Sequence, residues 1–269
     1  MERPIVSFLI PLRPKADENT WVRTCKLLER TCGSLLNQSN GRFRVVVAGH
    51  DCPAFLSRFN DGRFEFHEVD YGREVPKQSK RRDRNWKVAF AGIIASKDNP
   101  LYYMSLDADD LVHKNLVNYV ERNQAEEVLL LEVGYEWNLK LNRICLRKDF
   151  HRRCGSCCIL RASVFPLPKK DHPEDRWKMV HLTVPHNAML EWANENGFRI
   201  RRERKFALAT YVTDHGSNLS VLMRASSSGA SELKARMKRW LGFLLVGSRP
   251  DSHWLSEFGV RGNSREAIV

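Results

Sequence analysis

Residues 43–48, Phe-Arg-Val-Val-Val-Ala, constrain the fold more than any other segment. A continuous Val-rich run suits a strand covered on both faces, the situation of a parallel sheet packed between helices. A second such run, Ile-Val-Ser-Phe-Leu-Ile at 5–10, precedes it. Between the two, Trp21, Val22, Cys25, Leu28, Cys32, Leu35 and Leu36 recur at helical spacing, which predicts a helix over 18–38 with one buried face. The same reading gives a strand at 63–69, a helix at 86–96, a strand at 101–106 and a helix at 116–123. This alternation over residues 1–125 is the order of an open parallel α/β sheet. Ligands of such sheets gather outside the carboxyl ends of the strands. Pro11, Leu12 and Arg13, then His50 and Asp51, then the cluster at 107–110 all fall at such ends.

The second half is richer in strands, at 127–146, 156–160 and 206–212, with a helix at 186–196. At Ser226-Ser227-Ser228-Gly229 the composition shifts to a linker, followed by a basic helix over 233–246. The expected division is a catalytic-type domain at 1–225, made of halves 1–125 and 126–225, and a tail at 226–269.

The site candidates begin with Asp107-Ala108-Asp109-Asp110, directly behind the strand at 101–106. Clustered carboxylates at a sheet edge offer hard oxygens to Mg²⁺ or Mn²⁺, ions that suit a nucleoside diphosphate. Asp109 is the first choice as direct ligand, and Asp110 reads as the N-cap of the next helix. The stretch Lys80-Arg81-Arg82-Asp83-Arg84-Asn85-Trp86-Lys87 precedes the helix predicted at 86–96. A helix start flanked by cations makes an anion site, so Arg84 and Lys87 are candidate diphosphate contacts. Lys80, Arg81 and Arg82 read as solvated surface.

Composition excludes several classes. No apolar run reaches the about 20 residues needed to span a bilayer. The opening strand, between Glu2 and Pro11, is too short for a signal peptide. Seven cysteines without framework spacing argue against a secreted disulfide scaffold and for the reducing cytosol. Cys154-x-x-Cys157 has no second ligand pair and reads as buried thiols. The net charge of +12 favours anionic partners. Nucleic acid is not expected among them, because no finger, RNA-recognition signature or basic-region heptad is visible.

With these residues in view, the chain resembles glycosyltransferases of the GT-A fold, family 2 in particular, over residues 4–220. The resemblance rests on the opening strand and turn at 6–13, the acidic motif at 103–112, and Gly155-Ser156-Cys157-Cys158-Ile159-Leu160-Arg161. It rests also on the helix and strand at 191–200 and on the closing loop Asp214-His215-Gly216-Ser217-Asn218-Leu219-Ser220. It implies an α/β fold of nucleotide-diphospho-sugar transferase type, Rossmann-like, with a mixed sheet, helices on both faces and a C-terminal helical appendage. It implies a metal-dependent transferase of the hexosyltransferase class. The donor would be a nucleotide sugar, UDP-linked first, and the acceptor a glycan or lipid-linked hydroxyl, in polysaccharide or related glycan synthesis with inversion. Mn²⁺ or Mg²⁺ would be the cofactor. By the same resemblance Asp107 holds ribose or the metal, Ala108 lines the donor pocket and Asp109 binds the metal. His215 supplies a third metal ligand, Pro11, Leu12, Arg13 and Asp51 hold base and ribose, and Asp83 touches the nucleoside.

One departure concerns the general base. The Glu-Asp pair that usually opens the acceptor-side helix is absent: counting back from Gly197 reaches Pro185-His186-Asn187, whereas Glu174-Asp175 lies earlier. His186 and Asp175 are the candidates. Two rivals stand beside this reading. A sugar-phosphate nucleotidyltransferase would open with a glycine-rich loop, and residues 11–15 contain no glycine. A nucleotide-sugar-binding protein without catalysis would fit the missing pair. The basic helix either touches a membrane or lipid-linked acceptor, or docks on the domain. The expected location is the cytoplasm, with peripheral contact at the inner face of the membrane.

Overall fold

A computed structural model describes residues 2–59, 61–70, 80–165, 167, 184–214, 237 and 240–261 of the chain. Its centre is a seven-stranded sheet of order β10-β6-β9-β4-β1-β2-β3. The strands are β1 Val6–Pro11, β2 Phe43–Gly49, β3 Phe64–Glu68, β4 Tyr102–Ser105, β6 Val128–Leu131, β9 Cys158–Arg161 and β10 Ile200–Glu203. β1 pairs in parallel with β2 and β4, β2 with β3, and β6 with β10. β9 runs antiparallel to both β4 and β6, which makes the sheet mixed.

Strand alternation explains how the sheet is covered. Phe8 and Ile10 of β1, with Val45 and Val47 of β2, face a core built with Leu28, Cys32 and Leu35 of α1 (Glu18–Leu36) and Leu116, Val117 and Val120 of α3 (Leu116–Arg122). Leu9, Val46 and Ala48 face the other way, onto Val88, Ala91 and Ala95 of α2 (Lys80–Ala95). Each buried Val or Leu contributes about 1.5–3 kcal/mol, so the continuous apolar runs have a use on both faces. Asp17 caps α1, its carboxylate accepting from the Thr20 N–H at 2.8 Å. The α/β class with a mixed sheet and helices on both faces is as expected.

A four-stranded sheet of order β5-β11-β7-β8 lies beyond the carboxylate cluster. It contains β5 Leu111–Val112, β7 Gly134–Asn138, β8 Arg143–Arg147 and β11 Ala209–Thr213. Trp137, Ile144 and Val212 pack there with Leu27 of α1 and with Trp254 and Phe258 from the helix Ser252–Glu257 and its C-cap. Residues 252–258 are therefore part of a core cluster, although composition places them in the tail. Gly134 is required by close approach: a Cβ there would meet the buried Phe150 ring at 2.4 Å. Phe150 begins the loop that returns to the acidic turn.

One boundary needs correction. The helix predicted from Trp86 begins at Lys80, so Arg84 and Lys87 lie in its second turn rather than before its start. The polar run 80–85 carries no apolar period, yet Lys, Arg and Asn are tolerated on a helix. No helix of the described residues is long and apolar enough to cross a membrane. All seven cysteines are free, five of them buried. Burial pushes the Cys32 and Cys157 thiols up to about 12.

Candidate functional site

Three parallel strands end on one edge. Past β1 come Leu12 and Arg13, past β2 come His50 and Asp51, and past β4 comes the acidic turn. Sheet hydrogen bonding continues into these ends, from Leu12 N–H to Ala48 O at 2.8 Å and from Leu106 N–H to Leu9 O at 3.0 Å. The residues after the strands are thereby held on the sheet rather than on a loose loop.

The acidic turn is closed by the Asp110 N–H donating to Asp107 O at 3.0 Å, and Thr31 of α1 donates its hydroxyl to Ala108 O at 3.1 Å. The three carboxylates then divide. Asp110 is wholly buried and does not cap a helix, since α3 starts at Leu116 behind Asn115. Its Oδ2 accepts from Ser156 Oγ at 2.6 Å and from Cys154 Sγ at 3.2 Å, and its Oδ1 accepts from Val212 N–H at 3.1 Å. Ser156 Oγ in turn accepts the Asp107 N–H at 2.9 Å. Asp110 thus ties the turn, the loop before β9 and strand β11 into one unit. Burial holds its carboxyl well above the usual carboxylate range, with the charges of Asp109 and Asp107 adding and the Ser156 and Cys154 contacts opposing.

Asp107 is half-buried and engaged by Arg84, whose Nη2 lies 2.7 Å and Nε 2.8 Å from Oδ1. Arg84 also donates to Ser105 Oγ at 3.3 Å. Burial alone would lower the proton affinity of this guanidinium; Asp107 outweighs it and raises it. Gly155 makes the approach possible, since a Cβ there would stand 3.0 Å from Arg84 Nη2 and 3.2 Å from Asp107 Oδ2. Asp109 is partly exposed and attracts Arg13, whose proton affinity is lowered by burial and partly restored by that carboxylate.

Lys87 departs from expectation. Its side chain is 0% exposed and its Nζ sits 2.8 Å from Asp83 Oδ2, itself 15% exposed. Burial lowers its proton affinity, against the pull of Asp83 and then Asp51. The ammonium is therefore an internal counter-ion of Asp83 rather than a cation at a helix start. His50 borders the pair, its Nε2 3.7 Å from Asp83 Oδ1 and its Nδ1 3.1 Å from Val69 O. Asp51 accepts the Lys15 N–H at 3.0 Å.

Of the remaining candidates, Pro11 ends β1 and Leu12 is buried behind it. His186 begins a short 3-10 turn, His186–Ala188, packed against the turn Phe150–Arg152 that leads to Gly155. Asp175 and His215 lie outside the described residues. Strand β11 ends at Thr213, and the next residue, Asp214, is held in the left-handed region at φ 57° with its Oδ2 2.5 Å from Asn138 Nδ2. The spacing of residues pointed to Asp107 and Arg84 but not to Ser105, Gly155 or Ser156, which carry no ionisable group and read as ordinary strand and turn residues.

The donor set fits a hard divalent ion in part. Asp107 and Asp109 are partly exposed oxygen donors on one turn. Among the described residues no group of three or more His, Cys, Asp or Glu side chains could hold a metal by itself. One or two carboxylates plus substrate phosphates is a usual arrangement for Mg²⁺.

No protein-family model and no curated protein matches the chain. Solved structures of similar shape include a protein from Desulfovibrio desulfuricans G20 described as a nucleotide-diphospho-sugar transferase, 10% identical, with a TM-score of 0.39 over 87% of this chain and 96% of that one. The inositol-1-phosphate CTP transferase of T. maritima is 13% identical, TM-score 0.41, over 82% and 94%. Rv0371c of Mycobacterium tuberculosis in complex with manganese is 6% identical, TM-score 0.38, over 84% and 99%. At these scores the likenesses carry no weight in assigning chemistry.

Asp110→Ala is expected to destabilise the protein by about 2–5 kcal/mol, because it strands the Ser156 hydroxyl and the Val212 N–H inside the core. Asp110→Asn, which keeps one acceptor, should lose less. Urea unfolding of both variants measures the difference, and equal stability of Asp110→Ala and the native protein would remove the tying role.

Proposed function

We propose that this chain is a transferase of the nucleotide-diphospho-sugar type with the GT-A arrangement. In this reading it moves a sugar, from a UDP-linked donor first, to a hydroxyl of a glycan or lipid-linked acceptor, with inversion. The observation that carries the proposal is the meeting of Arg13, Asp51, Arg84 and the acidic turn at the carboxyl edge of β1, β2 and β4. Carboxylates and half-buried guanidinium groups at one sheet edge suit a ligand that brings both a divalent cation and phosphates.

In this reading Asp109, with Asp107, holds Mn²⁺ or Mg²⁺, and His215 is a further candidate ligand. The bound ion would neutralise the diphosphate as it departs. Arg84 orients Asp107 and lies within reach of the same anion, while Arg13 and Asp51 border the nucleoside with Pro11, Leu12 and Ala108. Asp83 acts on the pocket through Lys87 and the helix. His186 is the preferred general base and Asp175 the second; a base near the acceptor hydroxyl takes its proton as the new bond forms. Full turnover by both His186→Ala and Asp175→Asn would exclude them.

Thermal shift with a panel of nucleotide sugars, with and without Mn²⁺, tests the proposal. A ligand at 100 times its Kd stabilises by about 2.7 kcal/mol. Stabilisation by a nucleotide sugar and Mn²⁺ together is expected. Stabilisation by nucleoside triphosphates alone would favour a nucleotidyltransferase, and binding without turnover of any donor a nucleotide-sugar-binding protein.

A further inference from the structure

Residues 240–246 are helical and rest on the domain through Phe243. That ring is 0% exposed, and the Arg147 guanidinium stands 5.1 Å from its centroid. Just beyond, Ser248 pairs with Ile144 of β8, with N–H to O distances of 2.8 and 3.0 Å. Gly247 lets the chain turn there, since a Cβ would meet Phe243 O at 2.5 Å and Cys145 Sγ at 3.0 Å. The helix is therefore fixed on the domain along one side.

Its other side carries an apolar stripe that is exposed. Met237 is 56% exposed, Trp240 48%, Leu241 46%, Leu244 37% and Leu245 82%. These positions follow i, i+3, i+4, i+7 and i+8, the spacing of a face that a helix ordinarily turns to a core. In sequence the same segment, 233–246, carries Lys234, Arg236, Lys238 and Arg239 and no acidic residue. Even the 14 residues expected as helix at 233–246 would rise only about 21 Å at 1.5 Å each, short of the about 30 Å hydrocarbon core, so the segment would lie along a surface.

We propose that this helix docks the protein on an anionic bilayer, with Met237, Trp240, Leu241, Leu244 and Leu245 entering the headgroup–acyl boundary. Charge decides the occupant. A second copy of the chain would bring another net charge of +12 against the first, whereas an anionic leaflet attracts that charge. A tryptophan beside leucines and flanking Lys and Arg is the composition of an interfacial helix. The proposal stands apart from the donor site, because Phe243 and not the stripe connects the helix to the domain.

The test is cosedimentation of the full chain with sucrose-loaded vesicles, of phosphatidylcholine alone and of phosphatidylcholine with phosphatidylglycerol, at low salt. Binding to the anionic vesicles is expected to exceed binding to the neutral ones by at least about tenfold. The variant Trp240→Ser/Leu244→Ser/Leu245→Ser should lose at least about tenfold of that binding. Its unfolding temperature and its response to nucleotide sugars should match the native protein's, since these side chains are exposed. The proposal is overturned if the native chain stays in the supernatant with anionic vesicles, or if the triple variant binds them equally. It is overturned also if sedimentation equilibrium shows that the variant only dissociates a dimer.

Discussion

Asp109→Ala is expected to weaken metal-dependent binding of UDP by at least about tenfold while leaving the fold intact. Asp109 is partly exposed, on a turn whose shape is set by other residues: the Asp110 hub, the Thr31 hydroxyl on Ala108 O and the Leu106–Leu9 sheet bond. Its removal deletes the charge that attracts Arg13 while these contacts of the turn remain. A charge-assisted contact is worth about 1.5–3 kcal/mol, which corresponds to a loss of roughly 10- to 150-fold in Mn²⁺-dependent affinity. Calorimetric titration of UDP with and without Mn²⁺ measures it. The half-buried Arg13 loses the carboxylate that attracts it, so metal-free UDP affinity should hold or rise slightly in the same variant. Unchanged Mn²⁺-dependent affinity would remove Asp109 from the site.

The frame of the fold was legible because its strands are buried on two faces. A run such as Val45-Val46-Val47 leaves no alternative to a covered sheet, and the helical period of α1 is strong enough to mark the covering element. The antiparallel course of β9 was not legible: Cys158-Ile159-Leu160 reads as a buried strand in either direction. The second sheet escaped for a similar reason, since short strands such as Leu111–Val112 are set by what they pair with rather than by their own pattern.

The grouping of the candidate residues was legible where charge clusters at strand ends and illegible where burial reassigns charge. Asp107 and Arg84 were both named, but their pairing depends on Gly155 and Ser156, two small residues with no charge to signal them. Asp110 follows two other aspartates and precedes a helix, so a capping role was the economical reading. The structure instead turns it inward, where three donors from two elements, the loop before β9 and strand β11, converge on it. Lys87 illustrates the same limit, because a lysine at an expected helix start reads as a diphosphate contact until the helix is seen to begin earlier and its partner to sit one turn back.

The largest stability effect is therefore expected at Asp83. Asp83→Ala leaves the Lys87 ammonium, which is 0% exposed, without its 2.8 Å partner. Removing one member of a buried pair costs about 3–5 kcal/mol, more than the pair itself contributes, because the surviving charge keeps its desolvation penalty. Lys87→Met should cost less, about 1–2 kcal/mol, since Asp83 is 15% exposed and can be hydrated. The pH dependence separates the two causes. Burial already lowers the proton affinity of Lys87, and loss of Asp83, which raises it, must lower it further. A folded lysine that binds its proton more weakly than the unfolded one releases it on folding, so stability rises as pH climbs toward the ordinary lysine value of 10.5. Asp83→Ala should accordingly regain stability between neutral pH and that value, and Asp83→Ala/Lys87→Met should not. Urea unfolding at neutral and alkaline pH reads both effects; a flat profile for Asp83→Ala would mean that the ammonium finds water or another anion in its place.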